Sequence, residues 1–377
     1  MKTPIFAATT IVLAGFVQSG SSHPHARVGA EVPAIRATID GPDKIAFDAA
    51  GSLFVYESSG DGPSAIQEIS ADGQKVATLW VGCDRQQYSS DPAAESCLGA
   101  ISAMHVEKDD KVLLVQETKN RLLSFDPHSK TFSSVAGNGG LKFSGDGGPA
   151  VAAGIFQPSC AFMDRAGNIF VCDWSGRIRR IDAGTGIIMT IAGTGGHGFG
   201  GDGGPALDAE FDFLGGIAVD AAGNLFIADD HTIRRVDGTT GIIETIAGTG
   251  RDDSRFGFDV VNGPALKADL FTPADLTLDG RGNLFFLNAN SRICKIELKS
   301  GILTTIAGRS KPGFSGDRGL ATRAYIDAWS LALDPHGNLF FADGQHNRIR
   351  RIDLTTGIIT TFAGNGRPRR RYGPPIL

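Results

Sequence analysis

The sequence predicts an all-β, six-bladed β-propeller with four antiparallel strands per blade, and three observations predict it. A phrase like Asp220-Ala221-Ala222-Gly223-Asn224-Leu225-Phe226-Ile227 returns six times, with its acidic residue at Asp48, Glu107, Asp164, Asp220, Asp279 and Asp334, a period of 55–59 residues. A strand-end pair, Ala-Gly or Val-Gly, keeps the same phase at Gly82, Gly137, Gly193, Gly248, Gly308 and Gly364. The run Arg177-Ile178-Arg179-Arg180-Ile181-Asp182 is echoed at 233–237, 292–297 and 348–353.

The first 22 residues read as an export signal, with Lys2 before an apolar run from Ile5 to Val17 and a small polar stretch from Gln18 to Ser22. That run is too short to span a bilayer, and no lipobox cysteine follows it, so the mature chain is expected to be soluble, secreted or periplasmic, without membrane insertion. Residues 23–37 form an N-terminal segment, 38–366 the propeller and 367–377 a basic tail that reads as a solvated end. A net charge of −5 lacks the basic footprint of a nucleic-acid binder.

Each unit divides into four strands. In the fourth, Ile217–Asp220 and Leu225–Ala228 flank a Gly-Asn turn, Thr232–Asp237 follows, and Thr239-Thr240-Gly241 turns the chain into Ile242–Ala247. Strands such as Leu225-Phe226-Ile227-Ala228 are apolar without alternation, which implies burial on both faces. A blade between two like blades meets that need. A solenoid would require distinct end caps, and the first unit, Ile39–Gly82, is an ordinary one.

The phrase from Asp220 to Asp229 followed by Ile233-Arg234-Arg235-Val236 resembles the NHL repeat. Thr240-Gly241-Ile242-Ile243-Glu244-Thr245-Ile246-Ala247-Gly248 and the insert Phe143-Ser144-Gly145-Asp146-Gly147-Gly148-Pro149-Ala150, repeated near Gly200–Ala206, are similar to the teneurin type. The resemblance covers residues 38–366. It implies a propeller that acts mostly as a binding platform, with ligands on the rim shared by the inserts and the loops between second and third strands; a few six-bladed relatives are metal-dependent enzymes. Unit 1 departs by carrying Cys83 and Cys97 in place of a glycine insert. The chain also ends on Gly366-Arg367-Pro368 where another insert would begin. Two ways of closing the ring stay open: Val28–Thr38 against the sixth blade, or blades meeting without strand exchange.

On the expected rim lie Asp146, Asp202, Asp259 and Asp317 from the inserts, and a second column at the ends of second strands: Glu57, Gln116, Asp173, Asp229, Asn288 and Asp343. Such oxygen ligands suit a hard cation such as calcium, but one residue per blade is the pattern of a structural device that accepts backbone N–H bonds. The repeat breaks at the first strands, where Lys44, His105, Asp275 and Thr277 bring polar groups to the channel; a cross-channel Lys44–Asp275 pair is the structural alternative. His197, His231 and His346 share the rim, with His105 as a substitute, and three imidazoles are a zinc set, although solitary loop histidines are the default. The Arg-Arg runs are expected to cover apolar surface with their stems while the heads reach water or a nearby Asp. Among five cysteines, Cys83–Cys97 and Cys160–Cys172 are the expected disulfides and Cys294 is a buried free thiol.

The expected function is a non-enzymatic, monomeric binding module that presents its Gly/Asp-rich rim to an extracytoplasmic protein or glycan, without cofactor. The alternative is a metal-dependent lyase or hydrolase at the channel mouth, drawing on His105, His197, His231, His346 and Asp275.

Overall fold

A computed structural model describes residues 33–58, 63–83, 97–250, 262–289, 291–309 and 311–368. The signal (1–22), most of the 23–37 segment, Asp259 and the arginines after Pro368 lie outside them.

Six sheets follow one another along the chain, each built from four consecutive antiparallel strands, and in blade 5 the insert residues Gly263–Pro264 add a short fifth strand beside Ile302–Gly308. In the fourth blade these are Leu214–Val219, Leu225–Asp229, Thr232–Val236 and Ile243–Ala247, paired in that order with Ile217 opposite Ile227 and Phe226 opposite Arg235. The predicted elements stand, with the first strand beginning three residues earlier. Strands without alternation prove buried along their whole length, as in Leu225–Asp229 and Leu339–Asp343. The core lies between blades: Phe226 and Ala218 of the fourth pack with Leu276, Leu284 and Phe286 of the fifth. Each buried Leu or Phe contributes about 1.5–3 kcal/mol, so these sandwiched layers hold the ring together.

The recurring Asp-x-x-Gly-Asn phrase earns its place in the first hairpin. Asp220 Oδ1 accepts the N–H groups of Ala222 and Asn224, its Oδ2 accepts Asn224 Nδ2, and Gly223 turns with φ +84°.

Inserts join the blades through a short 3-10 turn, at Ala150–Ala152, Ala206–Asp208, Ala265–Lys267 and Ala321–Arg323. The alanine opening the turn works as a staple. Ala206 N donates to Gly241 O of the following blade, while Ala206 O accepts from Gly193 N of the preceding one.

The same staple closes the ring. Pro33-Ala34-Ile35-Arg36-Ala37 forms the equivalent turn, Ala34 N donates to Gly73 O of blade 1, and Ala34 O and Ala37 O accept from Gly364 N and Asn365 N of blade 6. Residues 33–37 therefore supply the second half of an insert whose first half is Gly364–Arg367. Residues 33–37 pack on the sixth blade, and among the described residues no strand is exchanged. Between blades 1 and 2, Cys83 and Cys97 are bonded across a Cα–Cα distance of 5.0 Å, and Tyr56 Oη donates to Gly99 O at 2.9 Å.

Candidate functional site at the channel mouth

The inserts hold a buried ionic device. Arg234 is fully buried; its Nε and Nη2 donate to Asp202 of the insert, its Nη1 and Nη2 to the carbonyls of Glu210 and Gly200, and Nη1 lies 3.3 Å from Asp229 Oδ2. Arg179 repeats this on Asp146, Gly154 O and Ser144 O, and Arg350 on Asp317, Tyr325 O and Ser315 O. An insert phenylalanine covers each guanidinium: Phe143, Phe199 or Phe314. One arginine of each pair thus turns inward to an Asp and never reaches water; Arg180 and Arg235 are the surface members.

The carboxylate columns are occupied by this work. Asp173, Asp229 and Asn288 each accept a backbone N–H of the chain entering the blade, from Phe156, Asp212 and Phe271. Burial raises Asp229 to about 6 against the Asp212 N–H and Arg234, and raises Asp343 to about 6 against His346 and Arg350. Burial raises Asp202 too, but hydrogen bonds from Thr245 and Arg234 outweigh it and hold that carboxyl below its ordinary value. Blade 5 fills the same three positions with uncharged side chains: Cys294 stands in the arginine position, Asn262 Oδ1 accepts Thr305 N as the insert Asp does elsewhere, and Asn288 ends the second strand. Burial pushes the Cys294 thiol up to about 12, so it is an inert core group.

The histidines do not converge. His197 is exposed, 4.0 Å from Asp212; His231 lies beside Asp230 and stacks on Phe271; His346 Nδ1 is 2.6 Å from Asp343. His105 lies in the channel wall, where its Nε2 donates to Ala161 O at 2.7 Å and burial lowers its pKa, which keeps the ring neutral. Among the described residues, no three His, Cys, Asp or Glu side chains are grouped as a metal ion would require. His197, His231 and His346 are separate loop residues, each beside its own carboxylate.

The first strands line the channel, as expected, around a cavity of about 570 Å³. Lys44 does not cross to Asp275. It pairs with neighbouring Asp43 at 2.7 Å, which also accepts Ser58 Oγ. Asp275, at a bulge with φ +49°, accepts Leu331 N at 2.6 Å; burial raises its pKa against the charge of Lys44. Cys160 and Cys172, bonded across a hairpin with Cα atoms 5.2 Å apart, close the wall of blade 3. Three aromatic side chains stand at the opening: Trp174 is 47% exposed, Phe213 40% and Trp329 37%. Trp174 and Phe213 meet edge to face with centroids 6.2 Å apart. Trp329 lies against Gly344, where a Cβ would come within 2.5 Å of its ring.

Comparison with known proteins places the whole. The teneurin NHL domain family matches residues 196–259. The chain is similar to NHL-repeat propellers. Mouse Teneurin-1 is 27% identical over 90% of this chain, and bovine NHL repeat-containing protein 2 is 27% identical over 37% of it. The chain spans 13% and 20% of the length of those relatives. Among solved structures, an auxiliary nutrient binding protein from Bacteroides thetaiotaomicron shares the fold with a TM-score of 0.57 at 15% identity, covering 86% of this chain and 70% of that one.

Among the six repeat units the mouth aromatics are departures. The position of Trp329 is held by Asp43, Ser102, Ser159, Gly215 and Ala274 in the other blades. That of Trp174 is held by Ser58, Glu117, Asp230, Ala289 and Gly344, and that of Phe213 by Gly41, Ala100, Gln157, Thr272 and Asp327. The columns compared in the sequence, those of Lys44 and His105 on the first strands and of Asp173 at the second-strand ends, pass within a few residues of all three without including them. The same comparison carried to the adjoining positions would have found them.

Proposed function

We propose that this NHL propeller is a non-enzymatic binding module of the secreted or periplasmic space, acting as a monomer, and that its ligand sits in the channel mouth. The observation that carries this reading is the set of three part-exposed aromatic rings around one open cavity, each at a position where the repeat otherwise places a small or polar residue. The insert aspartates are poorer candidates, because the described ones are bound to buried arginines. Binding is favoured over turnover because three titratable groups of the wall are committed to the fold, His105 to Ala161, Lys44 to Asp43 and Asp275 to Leu331. Two disulfides fit an oxidising compartment. Among the described residues no helix is long and apolar enough to cross a membrane.

The test is a thermal-shift and native mass-spectrometry screen of the purified protein against soluble peptides, saccharides and metabolites. A ligand that binds one to one, is recovered unchanged and is lost on Trp329→Ala supports the reading. Chemical consumption of the ligand, or binding indifferent to Trp174→Ala and Trp329→Ala, sinks it.

A further inference from the structure

The chemistry of the mouth narrows its ligand. Trp329 stands in blade 6, three places around the ring of six from Trp174 of blade 3 and two from Phe213 at the entry to blade 4, and all three line the same opening. Between these aromatic walls the lining is rich in acceptors. Ser102 Oγ donates to Pro158 O at 2.6 Å and Ser159 Oγ to Leu214 O at 3.1 Å, so each has spent its proton and offers lone pairs. Asp43, Glu117 and Asp275 add carboxyl groups, and among the described lining residues Lys44 is the one ammonium.

Each class of ligand can be weighed on that surface. An apolar molecule would cover the aromatic rings but strip water from the Asp43–Lys44 pair and the Ser oxygens without replacing it, a costly exchange. An anion would meet three acidic side chains, Asp43, Glu117 and Asp275, for one ammonium. A neutral molecule with flat C–H faces and many hydroxyl donors on its edges satisfies both parts: its faces lie on the indoles and its hydroxyls donate to the acceptors. The volume is within the range of about 300–1,000 Å³ usual for ligand pockets. Resting on the channel mouth as the binding site, we infer that the ligand is an uncharged carbohydrate, held between Trp329 on one side and Trp174 with Phe213 on the other.

The protein supplies its own reporter, since two of its three tryptophans, Trp174 and Trp329, are at the mouth and Trp80 lies in the outer strand of blade 1. Intrinsic fluorescence is titrated with neutral hexasaccharides of glucose, xylose, mannose, galactose and N-acetylglucosamine, in both α- and β-linked forms where they exist. The expected result is a saturable change with at least one of them, protection of tryptophan from acrylamide quenching, and affinity about tenfold or more weaker in Trp174→Ala and in Trp329→Ala. Trp80→Phe should bind as the unaltered protein does. No response to any of these saccharides at millimolar concentration overturns the assignment. So does a response that survives both mouth substitutions. If instead a peptide or an apolar probe binds and either mouth substitution abolishes it, the carbohydrate assignment falls while binding at the mouth stands.

Discussion

Arg234 Nη2 lies 2.7 Å from Asp202 Oδ1, and the pair crosses a blade boundary, since Asp202 belongs to the insert that leaves blade 3 and Arg234 to the third strand of blade 4. The same guanidinium reaches Asp229 of its own blade. One buried cation therefore ties an insert, the chain entering the blade and a strand end into one unit.

Arg234→Leu should cost about 3–5 kcal/mol in urea unfolding, because it strands Asp229 in the core without its cation. Blade 5 shows the neutral solution: Asn262, Cys294 and Asn288. Combining Arg234→Cys with Asp202→Asn and Asp229→Asn should recover a large part of the loss. A triple variant no more stable than Arg234→Leu would show that the charges are not what the blade requires.

Asp229 gives a pH signature. Its ordinary value of 3.8 rises to about 6 in the fold, so the folded state binds the extra proton in that window. Its contribution is full below the ordinary value and is lost as pH rises through about 6. Asp229→Asn mimics the protonated form, and its destabilisation should therefore be smaller at pH 7 than at pH 4.5. Equal losses at the two pH values in chemical denaturation would contradict the assignment.

Ring closure through Ala34 predicts a sharp boundary for truncation. A chain beginning at Pro33 should match the full chain in thermal unfolding, whereas one beginning at Thr38 loses the bonds Ala34–Gly73, Gly364–Ala34 and Asn365–Ala37. At about 0.5–1.5 kcal/mol each, these are worth on the order of 3 kcal/mol. Indistinguishable unfolding of the two truncations would mean that the closure does not depend on this turn.

Gly344 positions Trp329. An alanine there needs the indole to move, since its Cβ would come 2.5 Å from the ring. Gly344→Ala should cost about 1–3 kcal/mol, shift tryptophan emission and weaken ligand binding at the mouth. Gly184→Ala, whose Cβ would meet only Asp182 Oδ1 at 3.5 Å, serves as a control for glycine loss at a turn. Unchanged emission in Gly344→Ala would show that Trp329 is not held there.

Much of the fold was legible because it repeats. Asp220, Gly223 and Asn224 define a hairpin by themselves, and six copies of such a unit leave little freedom in how the strands pair. Burial of Arg234 was hidden because its partner lies 32 residues away and Arg-Arg in a strand reads as a surface stripe. Ala34 was hidden for a different reason: it matches Ala206, but only once the two ends of the chain are read as one insert. Trp174, Phe213 and Trp329 carry no period at all. They come together through ring geometry, which a linear comparison of repeats does not display.

The staple at Ala34 also says where this ring can be cut. Both ends of the described chain meet in a connector, and every sheet is made of strands consecutive in sequence. Opening the chain near Gly139–Leu141, and joining the present ends by a short linker, would produce a circular permutant with every blade intact. The position of the termini is thus a choice among equivalent seams rather than a requirement of the fold.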